Sequence, residues 1–256
     1  MIIAIAGGAG WVGRLVVEAV RAAGDTPIVL ARSTGVDLTT GKGLSEALSG
    51  ASVVIDVSNV STIRRKKSVA FFEAATTHLL AAEQQAGVTH HIALSIVGCD
   101  RVDFGYYHGK RRQEELVLAG PVPATVLRAT QFHEFAAQIL ERGGPFAVTP
   151  KMLCQPIAAR EVAAALVDIA HGAPAGLAPD LAGPREEQMA DMMRRLLRAR
   201  GGRGRVLAVR MPGRVGASLA GGGLLPASDD HGPRGRQTYE QWLESDATKV
   251  RPQQSR

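Results

Sequence analysis

The sequence predicts an α/β protein built on a doubly wound parallel sheet, with a small C-terminal substrate lobe. Three observations carry this. Short apolar runs, fit for strands covered on both faces, alternate with amphipathic stretches at helical spacing through the first half of the chain. Hydrophobic residues make up 45% of the chain and aromatic ones only 4%, so Ala, Val, Leu and Ile must build the core, which suits α/β layering better than an aromatic-rich sandwich. At 256 residues the chain is one large domain, or one domain with a small lobe.

The opening "MIIAIAGGAGWVGRLVVEAVRAAGD" reads as a buried strand over 2–6, a glycine turn and a helix. Val12, Val16, Val17, Val20 and Ala23 recur at helical spacing, and Gly24 supplies a stop. "TPIVLAR" (26–32) is the second strand. A short helix around "GLSEALSG" leads to a strand in "GASVVIDVSN" (50–59). The long helix "KKSVAFFEAATTHLLAAEQQAG" (66–87) ends on Gly87, and "HHIALSIVG" (90–98) is the next strand. A helix opened by "GYYHGK" runs to about Ala119, and "PATVLRATQ" (123–131) is a further strand. Alternation of this kind gives a parallel sheet with right-handed crossovers.

After Gln131 the pattern loosens. It reads as a helix near 132–142, an extended "FAVTPKMLCQPI", a helix from Arg160, a short strand at "APDLAG" and a basic-ended helix over "REEQMADMMRRLLRARG". A strand at "RVLAVRMP" and a final helix over "RGRQTYEQWLES" follow. The Gly-rich "AGGGLLPASDDHGPRG" (220–235) between them reads as a mobile loop. The chain thus divides into a nucleotide-binding core over 1–131, a substrate-binding lobe with late sheet elements over 132–248, and a flexible tail over 249–256.

Charge is uneven. Residues 194–256 hold 13 Lys or Arg against 5 Asp or Glu, a balance of +8, which leaves −2 for the rest of a chain whose net charge is +6. These arginines are scattered among Gly and Pro, with no helix-turn-helix or zinc pattern, so no nucleic-acid partner is expected. The two cysteines, Cys99 and Cys154, make no disulfide framework. "MIIAIA" is too short for a signal peptide and lacks its basic start, and no apolar run reaches the roughly 18 residues a membrane span needs. A cytoplasmic protein with no membrane partner is expected. His90 and His91 have no metal-ligand spacing, so no metal site is expected either. Oligomeric state is not legible.

"GGAGWVG" places Gly7, Gly10 and Gly13 in a G-x-x-G-x-x-G spacing between a strand and a helix. Free N–H groups and the positive dipole end at a helix N-terminus take a pyrophosphate, and glycines leave the turn and the approach of the phosphates clear of Cβ atoms. Trp11 and Val12 open that helix and flank the cofactor. The end of the second strand contacts the adenosine ribose, where an acidic residue would select NAD. Here "LARST" offers Arg32 and Ser33 instead, a guanidinium and hydroxyl suited to the 2′-phosphate of NADP. Asp37 in "VDL" is placed for the adenine edge, and Ser58 and Asn59 in "VSNV" for the far half of the dinucleotide. In "DFGYYHGKRRQEE", Tyr106 and Lys110 stand four apart and Tyr107 and Lys110 three apart, spacings that share one face of a helix.

Taken in order, "AIAGGAGWVG", "LARST", "VIDVSN", "LSIVG", "GYYHGK" and "VLRATQFHEF" resemble the atypical short-chain dehydrogenase/reductases, specifically the NmrA-like branch of NAD(P)-binding proteins. The match spans 3–135, is extended by "QPIAAREVA", and "RGRQTYEQWL" resembles the C-terminal helix of bacterial relatives. The resemblance implies a Rossmann fold, an NADP preference and a small lobe over the nicotinamide. It implies that Lys110 binds the nicotinamide ribose, that Tyr106 is the proton donor of a Y-x-x-x-K pair with Tyr107 its rival, and that Ser95 orients the carbonyl. An ammonium within a few ångströms would bring the phenol down from its usual pKa of about 10. His133 follows the strand after which such proteins line the substrate pocket, and it either lines that pocket or caps the next helix; Gln131 and Gln155 would frame the nicotinamide amide or the substrate, and Glu134 is expected to be solvated. The activity implied is NADPH-dependent reduction of a small carbonyl, quinone or conjugated substrate. The alternatives within the same branch are an NADP(H)-sensing protein that binds a protein partner, and a non-redox isomerase or dehydratase.

Overall fold

A computed structural model of the chain describes residues 1–143, 146–227 and 232–246. The first half is the alternation read from the sequence. β1 (Ile2–Ala6) turns into α1 (Trp11–Ala22), then β2 (Thr26–Leu30), a single 3-10 turn over Arg32–Thr34, α2 (Leu44–Ala47) and β3 (Val53–Asp56). α3 (Arg65–Ala86), β4 (His90–Ile96), α4 (Gly105–Leu118) and β5 (Ala124–Ala129) follow. β1 and β3 are apolar throughout except Asp56 because both faces are covered. Gly87, in the left-handed region at φ +74°, ends α3 where the sequence placed its stop.

Beyond β5 the chain makes α5 (Phe135–Gly143), β6 (Phe146–Pro150), β7 (Leu153–Cys154), α6 (Ala159–Ala170) and β8 (Gly176–Leu177). β9 (Glu187–Gln188), α7 (Met189–Ala199), β10 (Arg205–Val209), α8 (Gly213–Ala220) and α9 (Tyr239–Asp246) complete it. The central sheet is parallel throughout, in the order β2-β1-β3-β4-β5-β8. One face packs on α1 and α6 through Val16, Val20, Val162 and Leu166, the other on α2 and α3 through Leu44, Leu79 and Leu80. The chain is therefore a doubly wound α/β protein. Strand order reverses between β1 and β3, so the crevice at their C-terminal ends is the topological switch point, where doubly wound sheets bind ligands.

α6 and β8 return to this central sheet; the remaining elements form a lobe with its own core. Trp242, Tyr239, Met189, Met192 and Met193 fill it, and β6 pairs with β10 in a separate two-stranded parallel sheet. Several late elements differ from the expectation. The sheet's outer strand is Gly176–Leu177, while Leu181 in "APDLAG" makes only a single bridge to Ala129. The last helix starts at Tyr239, after a capping box in which Thr238 and Gln241 hydrogen-bond each other's backbone amides at 2.9 and 3.3 Å. α8 was not expected, and the glycine-rich segment after it is anchored by Leu224, which is wholly buried. Residues 228–231 and the expected tail at 249–256 lie outside the described residues.

Candidate dinucleotide-binding site

The glycine turn is fixed by its backbone. Gly7 has φ +78° and donates its N–H to the Leu30 carbonyl at 3.0 Å. A Cβ on it would stand 2.9 Å from the Ser58 Cα, so the turn backs directly onto the residues after β3. A Cβ on Gly13 would overlap the Gly7 carbonyl and the Gly8 backbone; this glycine lets α1 close on the turn. Gly10 is different. It caps α1, and a Cβ there would approach only the Gly7 carbonyl, at 3.0 Å, with open space beyond. No side chain caps α1 and its first turn carries no acid, which leaves an N-terminus suited to an anion. Val12 packs into the main core, and the Trp11 ring lies 5.9 Å from that of Phe132.

Two side chains at this end of the sheet have buried polar atoms with no protein partner. Ser58 is 3% exposed; its N–H donates to Asp56 Oδ1 at 2.8 Å, and its hydroxyl is unpaired. Gln131, just past β5, has both its amide nitrogen and oxygen buried and unpaired. An open cradle, a free helix N-terminus and unsatisfied hydrogen-bonding groups are what a bound dinucleotide would complete. The residues present fit the cofactor.

At the β2 end, Thr34 fixes the turn with its hydroxyl 2.8 Å from the Val29 carbonyl and 2.9 Å from that of Ala31, while Arg32 and Ser33 point into solvent. Asp37 holds its Oδ1 against the Thr39 amide and hydroxyl, at 2.9 and 2.7 Å, and these bonds keep its carboxyl below the usual range. That oxygen is therefore committed to its own turn; only Oδ2 is left for an adenine edge.

α4 brings its aromatic start to the same crevice. The Tyr106 hydroxyl donates to Asn59 Oδ1 at 2.7 Å, which places the phenol one residue from Ser58. Asn59 also accepts from the Val60 amide at 2.8 Å, and Ser68 Oγ donates to the Tyr106 carbonyl at 2.8 Å, fixing the helix start. Lys110 is wholly internal. Its ammonium donates to the Leu94 carbonyl at 2.8 Å and to Gln113 Oε1 at 2.9 Å, and lies 4.5 Å from the centre of the Phe72 ring. Gln113 in turn donates to Asp56 Oδ2 at 2.8 Å, so a relay of buried side chains runs from Lys110 through Asp56 to the Ser58 amide.

The expected coupling between the pair is absent in this state. Tyr106 and Lys110 both touch Phe72 but reach different partners. Burial pushes the phenol well above its ordinary value, with Tyr107 and Cys99 adding to the rise, and burial lowers Lys110 to about 8. Helical spacing puts the two on one face; it does not fix which way each side chain turns. Ser95 is buried with its hydroxyl 3.8 Å from Cys99 Sγ, on the side of the Glu114–Arg128 ion pair. Burial raises the Cys99 thiol to about 12.

The lobe residues need more correction. His133 has no exposed surface: its Nε2 is 3.0 Å from the Gln237 carbonyl, and its ring lies against Tyr239 and Trp242. It lines no open pocket, and burial lowers its pKa to about 4. Glu134 is not solvated. It accepts from Trp242 Nε1 at 3.2 Å, and burial raises it to about 7. Gln155 spends its amide on the Gly183 carbonyl at 2.7 Å. Tyr107 packs on Phe104 at the edge of the lobe core.

Sequence reasoning missed Asp56, Gln113 and Phe72. The lone acid in the apolar run "VVID" was the available signal for Asp56, and the three-residue step from Lys110 that for Gln113. A groove of about 560 Å³ lies in the lobe beside α8 and is lined by none of the expected site residues. Among the described residues no cluster of three or more His, Cys, Asp or Glu is placed to hold a metal, and no helix is long and apolar enough to cross a membrane.

No protein-family model matches the chain, and no curated protein matches it in sequence. Solved structures match it in fold. A short-chain dehydrogenase/reductase superfamily protein from Agrobacterium tumefaciens with bound NAD shares 20% identity and covers 97% of this chain and 96% of its own, at a TM-score of 0.69. The Citrobacter sp. triphenylmethane reductase complexed with NADP(H) shares 18% identity over 90% of this chain and 93% of its own, at 0.67. A UDP-N-acetylglucosamine 4-epimerase from Bacillus cereus shares 18% over 82% and 85%, at 0.66. The chain shares the Rossmann-like fold of these solved proteins. Among these neighbours are a reductase and an epimerase, and they carry NAD in one case and NADP(H) in another.

Proposed function

We propose that this protein is an atypical short-chain dehydrogenase/reductase of the NmrA-like branch that uses NADPH to reduce a small carbonyl, quinone or conjugated substrate. The observation that carries the proposal is the Tyr106 hydroxyl on Asn59, beside the unpaired Ser58 hydroxyl and the open Gly10 cradle. A proton donor at the dinucleotide end of β3 is what a reductase needs.

In this reading Gly7, Gly10 and the first turn of α1 hold the pyrophosphate, and Arg32 with Ser33 takes the 2′-phosphate. Among the described residues Arg32 pairs with no carboxylate, so its guanidinium is available. Bound NADPH would supply the hydride. Ser58, Asn59 and Gln131 hold the far half of the dinucleotide, Ser95 orients the substrate oxygen, and Tyr106 gives up its hydroxyl proton to that oxygen. Lys110 acts through position: with Gln113 and Asp56 it holds the end of β3 in place, and it reaches the ribose by exchanging one of its present acceptors.

The raised phenol and the satisfied Lys110 favour a second reading, an NADP(H) sensor that binds a protein partner and needs no proton donor. A panel of quinones, ketones and conjugated carbonyls, read by NADPH oxidation, separates the two. Turnover that depends on Tyr106 supports the reductase. Tight binding of NADPH and NADP⁺ with unequal affinities and no turnover on any class supports the sensor.

A further inference from the structure

Asp56 ends β3, a strand that is otherwise apolar, and it has no exposed surface. A buried carboxylate is costly unless its oxygens are used. Both are used, in different directions. Oδ1 accepts the Ser58 amide at 2.8 Å and Oδ2 accepts Gln113 Nε2 at 2.8 Å. The second bond settles how the Gln113 amide lies: with its nitrogen on Asp56, its oxygen faces the Lys110 ammonium, at 2.9 Å. One acid thus reaches two groups of the proposed cofactor site without standing in it.

The charges around Lys110 come from every element packed against it. Asp56 faces it from β3, Cys99 from the turn after β4 and Glu114 from its own helix, while α3 contributes the uncharged Phe72 ring. Glu114 is committed to Arg128 at 2.6 Å, and the Cys99 thiol, pushed up to about 12 by burial, carries no charge near neutral pH. Asp56 is the carboxylate left to balance the ammonium. From this arrangement we infer that Asp56 is a positioning residue for the dinucleotide: it fixes Ser58 directly and, through Gln113, holds Lys110 charged and in place for the nicotinamide ribose.

The inference rests on the proposed NADPH site and adds to it a coupling between its two halves. Ser58 and Lys110 lie on different elements, and the carboxylate is the group they share. Its field extends further along the same face of the sheet. Register pairs Val54 with His91, so His91 lies on the face that carries Asp56, and its imidazole is 2.8 Å from Glu83 of α3. Asp56 acts on the charge of both members of that pair. Any pH dependence must therefore be assigned between Lys110 and His91.

Calorimetric titration with NADPH from about pH 7 to 10 tests it, with NADH in its place if the parent binds that more tightly. Burial lowers Lys110 to about 8, and Asp56 is the strongest of the groups that oppose the fall. Binding that needs the ammonium should weaken above that pH, by up to about tenfold per unit. Asp56→Asn keeps the shape but offers one acceptor oxygen to two donors. It should weaken binding roughly tenfold at neutral pH and bring on the alkaline loss about one pH unit earlier. Gln113→Leu cuts the same relay, should move the loss in the same direction, and serves if Asp56→Asn misfolds. In a Lys110→Met background the alkaline loss should vanish and the cost of Asp56→Asn should shrink to about twofold. Lys110→Arg, whose cation does not titrate in this range, should also abolish the loss and serves if Lys110→Met misfolds. An alkaline loss that Asp56→Asn leaves in place, or costs that simply add in the double variant, would make Asp56 structural and overturn the inference. So would a loss that survives in Lys110→Met; it would belong to His91, whose burial opposes its charge while Glu83 raises it above its ordinary value. These results leave the proposed function standing, whereas a parent that binds neither dinucleotide overturns both.

Discussion

Polar side chains are buried at the switch point of the central sheet and again in the core of the lobe, and the two places use them differently. At the C-terminal end of the sheet Ser58, which backs onto the glycine turn, and Gln131, just past β5, have no protein partner for the hydroxyl or for either amide atom. In the lobe His133 and Glu134 each commit an atom to the last helix region, one to the Gln237 carbonyl and the other to Trp242. Gln131, His133 and Glu134 all follow β5 within five residues, and Ser58 follows β3 at the same end of the sheet. What separates them is surroundings: an open, positively biased turn for the first, a closed aromatic cluster for the second. Burial of a polar group marks a ligand site only where the space beside it is left for a ligand.

The largest effect should come from the glycine turn, where the comparison can be broken at one residue. Gly13→Val forces a side chain into the Gly7 carbonyl and should destabilise the fold by on the order of 3 kcal/mol, read by chemical denaturation. Gly10→Val, with open space beyond its Cβ, should stay within about 1 kcal/mol of the parent and lose NADPH binding in calorimetry. Equal destabilisation by both would make the whole turn structural.

Next comes the proton donor. Tyr106→Phe should cut turnover on a confirmed substrate by roughly 10²–10⁴-fold with little change in NADPH affinity. Full activity in this variant would pass the role to Tyr107 or to water. His133 is no candidate, given its enclosure.

The lobe makes the opposite prediction, in stability rather than binding. Glu134 has a folded pKa of about 7 against an ordinary 4.5, so the folded chain binds the extra proton and stability is lost as pH rises through that window, by on the order of 3 kcal/mol. His133, lowered from 6.5 to about 4, works the other way: stability is lost as pH falls through its window, again by on the order of 3 kcal/mol. Between about 4.5 and 6.5 the two slopes cancel. Glu134→Gln should therefore expose a stability that climbs with pH across that range, and His133→Asn one that declines. Denaturant midpoints taken at intervals of pH check this; a flat profile in both variants would mean that neither group titrates in the folded lobe.

The smallest effect is at the far end of the dinucleotide. Arg32→Ala should weaken NADPH by roughly ten- to hundredfold and leave NADH unchanged. An NADH affinity equal to that for NADPH in the parent protein would remove the basis for the phosphate preference.

Much of this was legible in the sequence, and the rest was not for definable reasons. The β1 run, the glycine spacing and the Gly87 stop are local signals, and each lies where it was read. α8 was missed because "GRVGASLA" is built of small residues and glycines, whose helix depends on packing by Leu219 against the lobe core. The strand at "APDLAG" was read two to six residues late, since which residues reach the edge of β5 is set by the length of the preceding loop. Solvation was expected for Glu134 because its partner, Trp242, stands more than a hundred positions away. The Tyr106–Lys110 pair was sound as helical spacing, but the way each side chain turns is decided by Leu94, Gln113 and Asn59, and of these only Gln113 is near in sequence.

Hydrogen–deuterium exchange with and without NADPH tests the central claim most directly, because it reads the switch point and the lobe in one experiment. The account predicts slower exchange over residues 5–14, 57–59 and 131 when NADPH is added, with the segment around Tyr239 and Trp242 unchanged. Protection confined to the lobe, or none at the glycine turn at saturating NADPH, would contradict it.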